Sequence, residues 1–277
     1  MTKTKKQRTF LLPIALVVLG LVLSLGQFIR HAPDYLAAAI TPVKHPARPD
    51  FTATDRLLKE VVKDGLIDYD KVKSTPYLGQ ALAEIAGQSP DHFADKNDVL
   101  VFWINASNVL SIKVQSAIYG NKRAPLRSSG FKTERYVVAG APMTVEQILQ
   151  ERLTPLFLPV DRGKAADTRA FLLLCRCTLG YPPMPDHAVT AESLAADMAA
   201  NTDKFVHNPA NVIYTEEDDM LKVSPLVRWH SNIFAHGTGS PFIFFIDILM
   251  PDTEENPSCD YLPKFNWKIN ALNPQQK

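Results

Sequence analysis

The run Phe171-Leu172-Leu173-Leu174-Cys175-Arg176-Cys177 ends an apolar stretch in two thiols around a guanidinium, and Gly180-Tyr181-Pro182-Pro183 follows as a rigid turn. Two of the chain's three cysteines sit here, so thiol chemistry would start here. Read as a strand over Phe171–Cys175, the segment carries Cys175 and Cys177 on one face and Arg176 on the other. A neighbouring cation lowers a thiol pKa and makes a nucleophile, but the strand turns this arginine away. A thiol hydrolase or acyltransferase also needs an imidazole within reach. The candidates are His187, His207, His230 and His236, and a thiol enzyme would take Cys177 or Cys175 as nucleophile with His230 or His187 as base. The competing reading is two small apolar side chains closing a core strand, since free cysteine is often buried. That reading is favoured.

Two amides form the next constellation. Within Phe102-Trp103-Ile104-Asn105-Ala106-Ser107-Asn108 the helical spacing puts Asn105, Asn108 and Ile112 on one face. Buried amides need partners, so the pair either holds a ligand or ties down loop backbone, and the structural role is favoured. Trp229-His230 after Val223-Ser224-Pro225 would suit a cleft, as a base or a stacking surface, although a surface histidine is the commoner outcome. Arg176, Tyr181 and Trp229 complete the binding candidates. No metal or other cofactor is expected: the seven histidines show no zinc spacing and Cys-x-Cys is not Cys-x-x-Cys. There is no glycine-rich phosphate loop and no nucleophile elbow.

Several elements must position these residues. Leu57, Leu58, Val61 and Val62 stripe a helix over Thr54–Lys63, and Gly65-Leu66-Ile67-Asp68-Tyr69 breaks it. Leu78, Leu82 and Ile85 mark a second helix, and Lys96–Tyr119 the longest, ended by Gly120. Thr144-x-x-Gln147 is a capping box opening a helix through Leu153. Thr190 opens another, with Leu194, Met198 and Phe205 inward. Arg135–Val138 and Phe171–Cys175 read as strands, Asn211–Tyr214 and Met220–Val223 as a hairpin around Glu216–Asp219. Phe242–Leu249 fits a buried strand or a helix. The class is α+β, a single domain with helices dominant in the first half and a small mixed or antiparallel sheet.

Composition bounds the setting. The 277 residues are 46% hydrophobic and 21% charged, enough for a packed core. Residues 1–30 hold five of the 30 basic residues and none of the 29 acidic ones, leaving the rest at 25 − 29 = −4. A mildly acidic body gives no electrostatic footprint for nucleic acid. Lys3 to Arg8 are basic, and Phe10 to Ile29 form an apolar run broken only by Ser24 and Gln27. Twenty residues at ~1.5 Å each span about 30 Å, the hydrocarbon thickness of a bilayer. The flanking charge holds the N-terminus in the cytoplasm. An uncleaved signal anchor over 10–29 is favoured over a signal peptide cleaved after Ser24-Leu25-Gly26, because the apolar run continues through Phe28 and Ile29. Residues 1–9 are then a basic cytoplasmic segment. Residues 30–50, with Pro33, Pro42, Pro46 and Pro49, read as an extended tether. Residues 51–272 are the folded domain and 273–277 a tail. In an oxidising compartment Cys259 is the better disulfide partner for Cys175 or Cys177, which are poorly spaced for each other.

Several segments together resemble one family, the bacterial and plant domain of unknown function 547. The likeness rests on Gly65-Leu66-Ile67-Asp68-Tyr69, Phe102 to Asn108, Thr144 to Leu149, Arg169 through Pro183 and Thr190 to Leu194. It continues through Phe205-x-x-Asn208-Pro209, Leu221-x-Val223-Ser224, Val227-x-Trp229 and Asn266-Trp267-x-x-Asn270, in order, over roughly Asp50 to Leu272. The family pattern has an aromatic Asn-Ala-Tyr-Asn helix, a strand histidine and a Cys-x-x-x-Ser-Cys-Pro-Pro turn. Aligned without gaps, the strand histidine falls on Phe171, the first cysteine on Arg176, the serine on Gly180 and the second cysteine on Tyr181. Ser107 stands where the helix tyrosine would be, while Asn105, Asn108, Pro182 and Pro183 match. The resemblance implies an intact scaffold whose reactive positions are replaced. A helix set against a strand with histidine also looks like a papain- or transglutaminase-type arrangement, an analogy of fold alone.

The expectation is therefore a single-pass protein of the bacterial inner membrane, held by its N-terminal helix, with its domain in the periplasm. It would bind an unspecified protein or small-molecule ligand or act as an accessory. The alternative is a divergent papain/transglutaminase-like thiol enzyme acting on peptide or acyl substrates.

Overall fold

A computed structural model describes residues 32–120, 129–158, 167–252 and 256–273. Among these no helix is long and apolar enough to cross a membrane, and the anchor expected over 10–29 lies outside them. The chain is α+β and helix-rich, with small sheets.

The tether is only partly as expected. Residues 32–40 are helical (α1), because only Pro33 interrupts this stretch and it falls in the first turn, where proline is tolerated. The remainder is docked. Lys44 donates its N–H to Gly87 (2.7 Å) and accepts from Ser89 (2.9 Å), and Gln88 bonds Asp50 N–H and C=O through its side chain. Residues 42–50 are thus a strap on the domain, not a free spacer.

Helix α2 (Thr52–Val61) buries Leu57, Leu58 and Val61. Its first N–H groups, on Ala53 and Thr54, donate to the Glu84 carboxylate from α4. Asp64 and Gly65, at φ 52° and 80°, make the tight turn between β1 (Val62–Lys63) and β2 (Leu66–Ile67). Helices α3 (Tyr69–Ser74) and α4 (Tyr77–Ala86) follow, then α5 (Lys96–Ile118), opened by Asp95 accepting from Asn97 N–H. From Val101 to Ile112 every residue of α5 is buried, so it lacks a polar face and serves as the central pillar. After the short α6 (Gly130–Thr133), β3 (Tyr136–Val138) and β4 (Ala141–Met143) form a hairpin through Ala139-Gly140. The capping box is present in both directions and opens α7 (Val145–Gln147), which continues as a π-helical turn to Leu153 and α8 (Thr154–Phe157).

The segment expected as the strand Phe171–Cys175 is not one. Thr168–Leu173 is a 3-10 helix, Leu174 is extended, and Cys177 sits at φ 57°. Among the described residues no neighbouring strand pairs with its backbone; the Asn108 side chain of α5 and the backbone of Asn270 do. Helix α9 (Leu194–Val206) packs beside this segment. Thr190 and Ser193 exchange hydroxyl–backbone bonds ahead of it, and Leu194, Met198 and Phe205 are inward. Strands β5 (Val212–Thr215) and β6 (Met220–Val223) form the expected hairpin, and β7 (Ser258–Tyr261) adds a parallel third strand. Short helices α10 (Pro225–Trp229) and α11 (Ser231–Phe234) follow β6, and Ile243–Leu249 is helical, resolving the open choice there (α12).

Candidate functional site

Asn105 and Asn108, the buried amides sequence reasoning singled out on α5, each bond backbone through both the amide nitrogen and the oxygen. Asn105 donates to Val189 C=O (2.7 Å) and accepts from Val189 N–H (3.1 Å). Asn108 donates to Leu173 C=O (2.9 Å) and accepts from Cys175 N–H (3.0 Å). Each side chain therefore stands in for an absent strand, satisfying groups that burial would otherwise penalise. Asn201 does the same for Leu172 and Pro183 C=O. All three amides are buried, so none faces a space where a ligand could bind.

The thiols lie in the same layer. Cys175 and Cys177 are 1% and 0% exposed. Asn270 donates to Cys175 Sγ (3.4 Å) and to Gly65 C=O while accepting from the Tyr69 hydroxyl. Cys177 meets Cys175 and the Tyr69 hydroxyl, and burial pushes its pKa well above the usual thiol range. A thiol held protonated in this way is a poor nucleophile. Among the described residues neither thiol bonds a histidine. The expected disulfide is also absent: all three cysteines are free, and Cys259 sits on β7 in register with Leu221, its thiol donating to Pro257 C=O.

Arg176 turns outward from this layer. Its guanidinium pairs with Glu146 on α7 at 2.7 Å, both side chains being largely covered, and stands over the rings of Phe131 and Tyr181. Burial pushes the Glu146 carboxyl up, but the charge and hydrogen bond of Arg176 outweigh it and hold the pKa below the ordinary value. Tyr181 is raised, by burial first. His230 lies beside this pair with its ring 4.7 Å from Phe171. Burial, aided by the Arg176 charge and opposed by Glu146, lowers its pKa to about 4. It is therefore neutral at pH 7, and no hydrogen bond reaches its ring nitrogens among the described residues.

From Tyr181 the rings continue to the surface. Tyr181 meets Phe265 (5.7 Å), Phe265 meets Trp229 (4.9 Å) and Trp267 (4.5 Å), and Trp229 stacks on Trp267 (5.5 Å). The C-terminal segment is laid there by backbone pairing: Leu179 and Gly180 N–H donate to Lys268 and Asn266 C=O, and Asn270 N–H to Cys177 C=O. A Cβ at Gly180 would lie 2.6 Å from the Phe265 ring, so glycine permits the approach. Arg176, Tyr181, Trp229 and His230 are thus brought into one neighbourhood.

His187 is placed differently. Its two ring nitrogens meet Asp186 (2.8 Å) and Asp197 (3.0 Å), and it lines an open groove of about 430 Å³ with Asp55, Lys59 and Thr190. Burial lowers its pKa, but the Asp186 hydrogen bond and the charges of both carboxylates outweigh that and leave it raised. An imidazole bonded on both sides to carboxylates has no nitrogen free to serve a thiol. No cluster suited to a metal ion occurs among the described residues.

Sequence reasoning missed Glu146, Phe265, Trp267 and Asn270 as partners here. Glu146 lay inside a capping box, where an acidic residue already has a helical explanation. The alternation Lys264-Phe265-Asn266-Trp267-Lys268 was visible as a pattern, but its seat beside Tyr181 depends on contacts some 85 residues apart. No family model, curated protein or solved structure matches the chain.

Proposed function

We propose that this chain is a single-pass protein of the bacterial inner membrane whose periplasmic domain, resembling the domain of unknown function 547, works by binding and not by thiol chemistry. One observation carries the reading. The groups best suited to chemistry, Cys175, Cys177, Asn105 and Asn108, are consumed inside the core, whereas Arg176, Tyr181 and His230 lead from the core to the half-buried rings of Phe265 and Trp267 and the exposed Trp229. A neutral imidazole, a paired guanidinium and several rings form a contact surface in which the polar groups are few and pre-set. The occupant is a protein or a small molecule with an apolar body.

Thiol labelling tests the binding reading. At pH 7.5 the native full chain should react with iodoacetamide only at Cys259, with Cys175 and Cys177 modified only after denaturation. Rapid labelling of Cys175 or Cys177 in the folded protein would sink the proposal. For the anchor, the membrane-extracted protein should keep residues 1–26, and a mature N-terminus at Gln27 would show cleavage instead.

A further inference from the structure

The helix ahead of the domain has its polarity reversed. In α1, Asp34, Ala37 and Ala38, with Thr41 just past the end, recur at three- and four-residue intervals and are half-buried. Pro33, Tyr35, Leu36, Ala39 and Ile40 are exposed instead. Leu36 and Ile40, at 64% and 73%, are the two most exposed large hydrophobic side chains among the described residues, and Tyr35 follows at 51%. A surface helix ordinarily turns its large apolar side chains to the core and its polar ones to water. Here small and polar residues are covered and the large apolar ones are turned away. An apolar face left out in this way marks a contact the domain does not itself supply.

The covered side of α1 belongs to the β3–β4 hairpin. The Thr41 hydroxyl closes the helix by donating to Ala37 C=O (2.7 Å), and Val43 follows against Gly140, where an added Cβ would lie 2.7 Å from Val43 Cγ2. Burial raises the Tyr136 phenol on β3, and the charges of Glu134 and Asp34 add to it, so Asp34 is within electrostatic reach of this hairpin.

Chain connectivity names the occupant of the other side. The apolar run Phe10–Ile29 ends two residues, Arg30 and His31, before α1. Three extended steps of ~3.6 Å from Ile29 to Ala32 and four helical steps of ~1.5 Å to Leu36 span at most about 17 Å. With the run in a bilayer, Leu36 stays within that distance of the hydrocarbon edge. An interfacial helix lays its apolar face roughly 5–10 Å into the headgroup boundary. The domain holds one side of α1, which leaves the lipid surface for the other. Tyrosine suits headgroup depth, and residues 1–33 contain no carboxylate side chain to repel anionic headgroups.

We propose that the exposed face of α1, Leu36 and Ile40 with Tyr35 beside them, lies in the bilayer interface and seats the domain against the membrane. The proposal rests on the anchored reading, which supplies the proximity. The test uses the full chain carrying Cys259→Ser, reconstituted in vesicles of phosphatidylcholine and phosphatidylglycerol. Leu36→Cys, Ile40→Cys or Glu217→Cys, the last in the exposed acidic turn, then takes an environment-sensitive fluorophore, and the chain without a new cysteine gives the background. Lipids brominated near the top of the acyl chain should quench the label at positions 36 and 40, and aqueous iodide should quench it at 217. Tyr35→Ser with Ile40→Gln should reduce lipid quenching of the Leu36→Cys label several-fold and leave the melting curve unchanged, since both side chains are exposed.

Lipid quenching no stronger at 36 and 40 than at 217 overturns the proposal, as does its persistence in the double variant. Protection from both quenchers would mean that protein covers the face, with self-cross-linking of the Leu36→Cys chain identifying a second copy, and either result overturns it as well. Alkaline carbonate extraction reads the anchor separately. If the chain is released, the anchored reading fails, and quenching at 36 and 40 in unextracted vesicles still decides the face: its presence supports the proposal and its absence overturns it.

Discussion

Cys177 and Trp229 stand at opposite ends of one short path through the molecule, and they show opposite ways of treating polar and reactive groups. Around Cys177, backbone, amide, phenol and thiol groups pair, the buried Thr178 hydroxyl being the exception: Asn108 closes on Leu173 and Cys175, and Asn270 on Tyr69, Gly65 and Cys175. Around Trp229 the pairing thins out. Arg176 still has Glu146, but His230 is neutral and its ring nitrogens are unbonded among the described residues, and Arg228, Lys264 and Lys268 face solvent. Groups that look reactive in sequence can be the ones folding uses up, while groups left over at the end of a packed path are free to meet a partner.

The contrast is broken most strongly at Asn108. Asn108→Ala strands a buried C=O and a buried N–H, each worth about 1–3 kcal/mol. Urea denaturation should show a loss of about 2–5 kcal/mol, with Asn105→Ala close behind. A loss below about 1 kcal/mol would mean the clamps are not what holds the 171–177 segment.

The pH response of His230 comes next. Its folded pKa is about 4 against 6.5 unfolded. The unfolded chain takes up the proton first, so stability falls as pH drops from about 6.5 towards 4 and then levels. The full shift corresponds to about 3 kcal/mol. His187 works with the opposite sign: its raised pKa contributes stability present below about pH 6.5 and lost as pH rises through the folded value. His230→Phe, which keeps the contact with Phe171, should remove the acid-side loss while leaving the His187 contribution in place. An unchanged pH–stability curve in that variant would show that His230 is not the buried neutral group.

Gly180→Ala sets a methyl against the Phe265 ring and should cost about 1–3 kcal/mol by overpacking. It should also raise the accessibility of Trp229 to acrylamide, since the rings pack in series. Trp229→Ala itself should cost about 1–3 kcal/mol, since roughly half of the residue is in water and the rest packs on Phe265 and Trp267. The smallest effect expected is a sharpening: Arg176→Gln removes a cation that lowers His230, so the His230 titration, followed by NMR, should move upward. A downward move would contradict the electrostatic arrangement.

Local signals in the chain were legible where one physical cause acts alone. The capping box at Thr144 and Gln147, the stripe of α2, the span of α5 and the β5–β6 hairpin follow from short-range bonding and periodicity. The reading of Phe171–Cys175 as a strand did not hold, because a continuous apolar run reports burial and not backbone shape. Its partners turned out to be side-chain amides of α5 rather than a second strand. The proline count predicted an extended tether, yet the carbonyl of Gly87 and the N–H groups of Ser89 and Ala94 give residues 44–50 a docking edge.

The sequence by itself determined that a helix-rich α+β domain follows an apolar, basic-flanked run, that Asn105 and Asn108 share a helical face, and that any zinc or phosphate-loop chemistry lacks its spacing. These depend on period, composition and motif, which are properties of neighbours along the chain. Only the tertiary structure decided that the amides are backbone clamps, that the thiols are sealed under Asn270 and Tyr69, and that His187 and His230 belong to different places. Each of those outcomes turns on which distant group arrives to satisfy a buried donor or acceptor, and that is set by packing across the core.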